Sequence, residues 1–281
     1  MFKNFNPIAL FIYFVYVLFI SVFSFNPIIL TAGILGAVFY CLFTLEKKSV
    51  FKLFGFCAFM FLIITLTNPL FSHNGRTVLF FINDNRVTFE ALVYGAVLGL
   101  AVIEVLIWFK CFSTIFDSER IIFLFGKISP KTALVLSMTL RFIPNFVSNF
   151  KSINTTQRLI GSDSRIKRYL NSFSAVITQS LENSVITSDS MKSRGYGLKG
   201  RTFYSRFRFS TRDIVFIIIS TVLFALSIIG RTDFVFYPSI DAPSLSGFSI
   251  IGCFSFSALS LIPFIYELKE GIRWKYSISK I

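Results

Sequence analysis

Arg158 and Arg194 stand 36 residues apart, each closing a stretch of helical periodicity. Gln157-Arg158-Leu159 runs on to Gly161, and Ser193-Arg194 is followed at once by Gly195. A planar guanidinium makes paired, charge-assisted hydrogen bonds to carboxylates, which is the chemistry such residues offer. Two readings stay open. Arg in a last helical turn complements the negative end of the helix dipole, and Gly just beyond is a common terminator, so both could be capped, solvated ends. Alternatively each is a peg, a narrow helix tip that enters a groove on a partner and bonds acids there. Two pegs on one helical hairpin would suit a partner that is itself a pair.

Other reactive side chains offer less. Glu104 is the one acid well inside an apolar run, away from its ends, and an intramembrane acid is a functional candidate by default. Lys110 lies a turn and a half further on, so a paired or near-interface Glu104 is the preferred reading. Arg141, also in an apolar stretch, reads as a snorkelling or paired charge. Cys41, Cys57, Cys111 and Cys253 are far apart in sequence without a CxxC pair, and His73 is the single histidine. Zinc and redox chemistry therefore have little to rest on, and structural roles are expected. The string GYGLKGR at 195–201 has Gly and Lys but lacks the spacing and the Ser/Thr of a phosphate-binding loop, and no strand precedes it. Paired carboxylates, a catalytic triad and a metal cluster are all missing from the sequence. The chain is thus expected to be no enzyme, with no metal, no bound cofactor and no ATP-hydrolysing site of its own.

The elements that would position these residues follow from composition. Of 281 residues, 54% are apolar and 15% charged, with 38 Phe, yet the formal charge is +14. A soluble domain has about 25% charged residues, so a soluble enzyme and a disordered chain are both excluded, and lipid is part of the solvent. Six apolar runs, 8–25, 27–44, 50–67, 89–109, 212–230 and 247–266, approach the ~20 residues a helix needs to span a bilayer. Lys3 before the first run resembles a signal peptide, but no small-residue cleavage site follows, so an uncleaved first helix is expected. Ser24-Phe25-Asn26-Pro27 reads as the tight turn between the first two runs. Basic residues mark the cytoplasmic side. The proposed outer loops, 68–90 and 231–246, hold only Arg76, Arg86 and Arg231, so both termini are expected in the cytoplasm.

The stretch 110–212 carries 17 Lys/Arg against five Asp/Glu, a net +12 and most of the surplus. Within it 131–158 and 166–194 read as two long helices. The second places Ile166, Tyr169, Leu170, Phe173, Val176, Ile177, Leu181, Val185 and Ile186 on one side. Lys167, Asn171, Ser172, Gln179, Glu182 and Asn183 take the other. The first is apolar nearly all round, through Leu134, Met138, Phe142 and Phe146, with Pro144 expected to kink it, and should be partly embedded. After Gly195, basic residues alternate with Tyr196, Phe203, Tyr204, Phe207 and Phe209. That is also a nucleic-acid footprint, but beside a span, attraction to anionic lipid is the simpler account, and no nucleic-acid partner is expected. The fold class is therefore an all-α membrane protein: 1–109 as an N-terminal bundle of four spans, 110–211 as a cytoplasmic amphipathic hairpin, and 212–281 as two spans and a basic tail.

Three stretches carry a family resemblance: Leu66–Phe81 (LTNPLFSHNGRTVLFF) with Asn85, Thr88-Phe89-Glu90-Ala91 and Tyr94-Gly95; Met138–Phe146 (MTLRFIPNF); and Asp189–Asp213 (DSMKSRGYGLKGRTFYSRFRFSTRD). With the span layout, the chain resembles the transmembrane T component of energy-coupling factor (ECF) transporters, the EcfT/CbiQ-like family. The resemblance implies a multi-pass protein of a prokaryotic cell membrane, partnered by two ABC-type ATPases and a membrane-embedded S component that captures a vitamin or metal ion such as cobalt. ATP and magnesium would be bound by the ATPases. It places two ATPase-docking X-Arg-X motifs on Gln157, Arg158 and Leu159 and on Ser193, Arg194 and Gly195. The first departs from the small-Arg-small pattern, because Gln157 and Leu159 are bulky. A platform for the S component would comprise Phe142, Phe146, Tyr169, Phe173, Ile177 and Leu181. The alternative is a self-contained secondary transporter or channel with Glu104 and Arg141 on an ion path. A third reading is a membrane scaffold whose basic 192–212 segment grips lipid or nucleic acid.

Overall fold

The computed structural model describes residues 2, 5–72, 75–82, 85–161, 164–198, 207, 209–231, 234–238 and 247–278. His73, the basic positions 199–206 and 208, and the loop 239–246 lie outside them. The elements are α1 (Pro7–Phe23), α2 (Pro27–Thr44), α3 (Lys47–Phe71), β1 (Val78–Ile82), β2 (Asn85–Thr88), α4 (Phe89–Ile115), α5 (Ser118–Ile128), α6 (Pro130–Leu159), α7 (Arg165–Ser193), α8 (Thr211–Ile229) and α9 (Gly247–Ile278). They divide into two compact units, Met1–Asp117 with Phe207–Ile281, and Ser118–Arg206.

The first unit is the apolar bundle. The α2, α3, α4 and α8 helices, and α9 as far as Ile272, are long and apolar enough to cross a membrane. The 17-residue α1 helix rises about 26 Å, short of a bilayer core of about 30 Å. The six expected spans therefore resolve into five and one shorter apolar helix. Its start is built like that of α2: Asn6 and Asn26 accept from the amides of Ile8 and Ile28 at 3.1 and 3.0 Å, ahead of Pro7 and Pro27. A side-chain acceptor at the cap and a proline that needs no donor answer two of the orphan amides of a helix start.

In this unit α4 packs against α1, α2 and α3, α9 packs against α2 and α8, and α1 packs against α8. Hydrocarbon solvent gives apolar side chains no reason to prefer the interior, so such interfaces rely on close backbone approach and polar contacts. Gly230, just past the end of α8, and Gly252 of α9 meet backbone to backbone. Tyr13 donates to the Leu259 carbonyl at 2.9 Å, joining α1 to α9. Asp213 accepts from the backbone amides of Asn6 and Ser210 at 3.0 and 2.8 Å, tying the chain start to the first turn of α8.

Between α3 and α4, where a loop was expected, the chain forms an antiparallel hairpin pairing Val78 with Thr88 and Ile82 with Asn85. The residues that carry the resemblance there bond to one another. Glu90, at the start of α4, accepts from the Thr77 amide at 3.1 Å, the Thr77 hydroxyl at 2.8 Å and the Arg76 amide at 3.3 Å. Asn68 donates to the Ala91 carbonyl at 2.7 Å. Tyr94 packs edge-on to Phe236 and at a tilt to Tyr237, at 5.3 and 5.4 Å between ring centroids.

The second unit is α5, α6 and α7, with α6 packed against both neighbours. The two long helices appear within a residue or so of their expected bounds. The α6 helix runs through Pro144, whose missing N–H leaves the Leu140 carbonyl without its usual intrahelical donor. The short α5 helix was not anticipated.

Candidate functional site

The α6 and α7 helices form an antiparallel pair. Phe150 stacks on Tyr169 with centroids 6.2 Å apart, the Ser172 hydroxyl donates to Gln157 Oε1 at 3.2 Å, and Met138 and Arg141 share a cleft with Ser190 and Met191. Arg158 therefore sits at the turn end of the hairpin and Arg194 at the open end. The 29 residues of α7 rise about 43 Å between them.

The local sequence builds both tips. At the end of α7, Gly195 has φ +80°, its amide donates to the Lys192 carbonyl at 3.0 Å, and the Tyr196 amide donates to Met191 at 3.0 Å. That is the Schellman arrangement, in which a left-handed residue closes the last turn and satisfies two orphan carbonyls. Arg194 occupies the cap position and is exposed. At the end of α6, Ile160 caps by donating to the Thr156 carbonyl at 3.2 Å, and Gly161 has φ +78°. Arg158 lies exposed in the last turn, and Leu159 is 83% exposed. Gln157 is half-buried and bonded back to α7, so this flank is part of the hairpin interface. Ser193 is exposed and donates to the Ser190 carbonyl at 2.9 Å.

The α7 residues that the hairpin buries come from both sides of its periodicity. Ser172, placed by periodicity on the polar side, is fully buried, as is Val176. Ile166, Leu170, Phe173, Leu181, Val185 and Ile186 are all at least half exposed, and Tyr169 nearly so. The α6 side chains Phe142, Ile143 and Val147 are exposed too, and Phe146 is half-buried. The hairpin buries Ser172 and Val176, stacks Phe150 on Tyr169, and leaves most of its apolar surface open. Exposed apolar area of this extent marks a protein or membrane contact.

Glu104 is corrected in place. It is completely buried, and the Ser21 hydroxyl of α1 donates to its Oε1 at 2.7 Å; Oε2 has no hydrogen-bond partner. Gly33 of α2 leaves the space that its carboxyl fills. Glu104 makes no ion pair with Lys110 among the described residues. Arg141 is exposed and makes no ion pair among the described residues, which replaces the paired-charge reading. Cys41 and Cys111, 70 residues apart, lie with their sulfurs 3.2 Å apart and buried. Among the described residues no group of three or more His, Cys, Asp or Glu could hold a metal ion.

A bundle of apolar spans joined in one chain to a basic helical hairpin defines an all-α, multi-pass membrane protein. Residues 5–204 match the family described as CbiQ, cobalt transport protein. The chain belongs to that family, which comprises membrane components of transporters and not enzymes. Over 108 residues it is also 33% identical to the energy-coupling factor transporter transmembrane protein EcfT of Lactobacillus helveticus (strain DPC 4571). That match covers 36% of this chain and 39% of the relative.

Proposed function

We propose that this chain is the transmembrane coupling subunit, the T component, of an ABC-type ECF transporter. It would join two cytoplasmic ATPases to an S component for uptake of a vitamin or metal ion across a prokaryotic cell membrane. Both termini would lie on the cytoplasmic side, with the short α1 taken as the sixth crossing. The observation that carries the reading is the pair of exposed arginines at opposite ends of a rigid antiparallel hairpin. A single groove cannot engage both across some 43 Å, whereas a pair of ATPases offers two. Family membership and the name of the EcfT relative support the same assignment.

ATP binding, with magnesium, would draw the two ATPases together and displace their grooves. Arg158 and Arg194, each held by a structured helix end, would carry that displacement into α6 and α7. The exposed surface that includes Phe142, Phe146, Tyr169, Phe173, Ile177 and Leu181 would meet the apolar S component and change its tilt. No cofactor is held by this chain in the scheme.

The test is reversal of charge. Arg158→Glu and Arg194→Glu place like charge against the acids that would hold each guanidinium, a larger penalty than simple truncation. Affinity purification of the full-length chain from native membrane should bring down two ATPase chains and a small hydrophobic protein. Each single variant should weaken the ATPases' retention, and the double variant should abolish it, with the chain still monodisperse in detergent. Normal retention and normal uptake by the double variant would overturn the assignment.

A further inference from the structure

Between α6 and α7, toward the open end of the hairpin, lies a cleft of about 570 Å³. Its apolar lining is Leu134, Met138 and Phe142 from α6 and Ile186 and Met191 from α7. Arg141 on α6 and Arg194 at the end of α7 also line it, with Asn145, Ser190 and Tyr196. No acid lines it. The neighbouring Asp189 is not among the lining residues and pairs with Lys192 at 3.7 Å. Two guanidiniums and an apolar lining make an amphipathic receptor with one sign of charge. The volume falls in the range, about 300–1,000 Å³, of cavities that hold small organic ligands.

We infer that this cleft binds an anionic phospholipid. Its phosphodiester bridges Arg141 and Arg194 through charge-assisted hydrogen bonds, and the first methylenes of its acyl chains lie along Met138, Phe142 and Ile186. Charge complementarity selects the occupant, and the bilayer this protein occupies supplies it at high local concentration. The inference rests on the membrane assignment and on the cleft. It does not depend on ATPase docking, so the test uses Arg141, which has no part in that scheme.

Full-length protein would be purified in mild detergent, exchanged against mixed phosphatidylglycerol and phosphatidylcholine, and its retained lipid counted by native mass spectrometry. Wild type should hold about one phosphatidylglycerol in preference to phosphatidylcholine. Arg141→Ala should weaken that retention about tenfold, the effect of losing one hydrogen-bonding charge, and Arg141→Lys should recover part of it. Met138→Trp, which keeps both charges and fills the trough, should also lower retention and covers the case in which Arg141→Ala misfolds. Lys151→Ala, an exposed charge on α6 outside the cleft, should change nothing. Equal losses in Lys151→Ala and Arg141→Ala would show diffuse surface attraction and overturn the inference. So would displacement of the lipid by millimolar inorganic phosphate, which would make this a free-anion site. Release of the lipid only when an acidic protein segment occupies the cleft, with no preference for phosphatidylglycerol beforehand, would overturn it as well.

Discussion

Glu104 and Gly33 should behave as one unit in stability, and a double-mutant cycle reads this directly. A Cβ added at Gly33 would land on Glu104 Oε1, lie 2.6 Å from its Cδ and meet Phe256 Cε1 at 2.8 Å. Glu104 and Phe256 are both fully buried, so neither has space to retreat. Overfilling a packed interior costs typically about 1–3 kcal/mol, and alanine returns up to about 1 kcal/mol of helix propensity. Gly33→Ala should therefore destabilise by about 1 kcal/mol, and by about 2 kcal/mol where the overpacking reaches its upper end. Glu104→Ala removes the Ser21 hydrogen bond and opens a void, but in that background the new methyl meets only Phe256. The two changes should then fall short of their sum by about 1–2 kcal/mol, within the range seen for residues in contact. Gly55 of α3, with nothing within 4 Å of an added Cβ, is the control, and Gly55→Ala should be neutral or slightly stabilising. Denaturant unfolding of the full-length chain in micelles, followed by fluorescence of the buried Trp108, gives all four corners. Additivity of Gly33→Ala and Glu104→Ala, or a Gly33→Ala as harmless as Gly55→Ala, would refute the packing argument. The same residue also tests the ion-path alternative: Glu104→Gln keeps an acceptor for Ser21 and should leave uptake by the assembled transporter largely unchanged.

Gly195→Ala forces a Cβ into a left-handed position, at a cost of about 1–2 kcal/mol. The amides of Gly195 and Tyr196 should exchange with solvent roughly tenfold faster, by mass-spectrometric hydrogen exchange, while those of α2 and α4 stay unchanged. Gly230→Ala should be among the most damaging glycine changes in the bundle. Its Cβ meets the Phe248 carbonyl oxygen and lies 2.5 Å from Gly252 Cα, and backbone cannot turn aside as a side chain can. A loss of at least about 3 kcal/mol is expected, read as a lowered unfolding midpoint of the purified chain.

What the sequence made legible was local. Asn-Pro before α1 and α2, and Gly after α6 and α7, are chemical punctuation with a fixed meaning, so those ends lie within a residue or two of expectation. The interface of the hairpin was not local. Periodicity identifies the most apolar side of α7, and in water that side would face α6. Here Ser172, from the polar side, and Val176, from the apolar one, are the buried residues, and most of the apolar side stays open for other contacts. The Ser21–Glu104 bond spans 83 residues, and Cys41 and Cys111 are equally remote, so no spacing rule could have paired either couple. The β1–β2 hairpin did leave a trace. Val78-Leu79-Phe80-Phe81-Ile82 is a run of strand formers, followed by the turn-forming Asn83-Asp84-Asn85. It was read as loop because it lies between two far stronger helical signals.

Arg194 stands at two places at once, the tip that would engage an ATPase and the lining of the cleft inferred to hold a lipid. A guanidinium has five N–H donors, but its planar fork cannot face a phosphate in the cleft and a carboxylate beyond the helix end equally well. If the two ligands compete for it, they are linked, and linkage is reciprocal: an anionic lipid would weaken ATPase binding at that tip by the factor by which the ATPase weakens the lipid. Arg158, at the far end of the hairpin and outside the cleft, would be exempt. The two ends of the hairpin are therefore not equivalent even where the two ATPases are identical. Phosphatidylglycerol titrated against an assembled Arg158→Glu complex, which holds its ATPases through Arg194 alone, should release them. The same titration against Arg194→Glu should not, because the remaining tip has no lipid beside it.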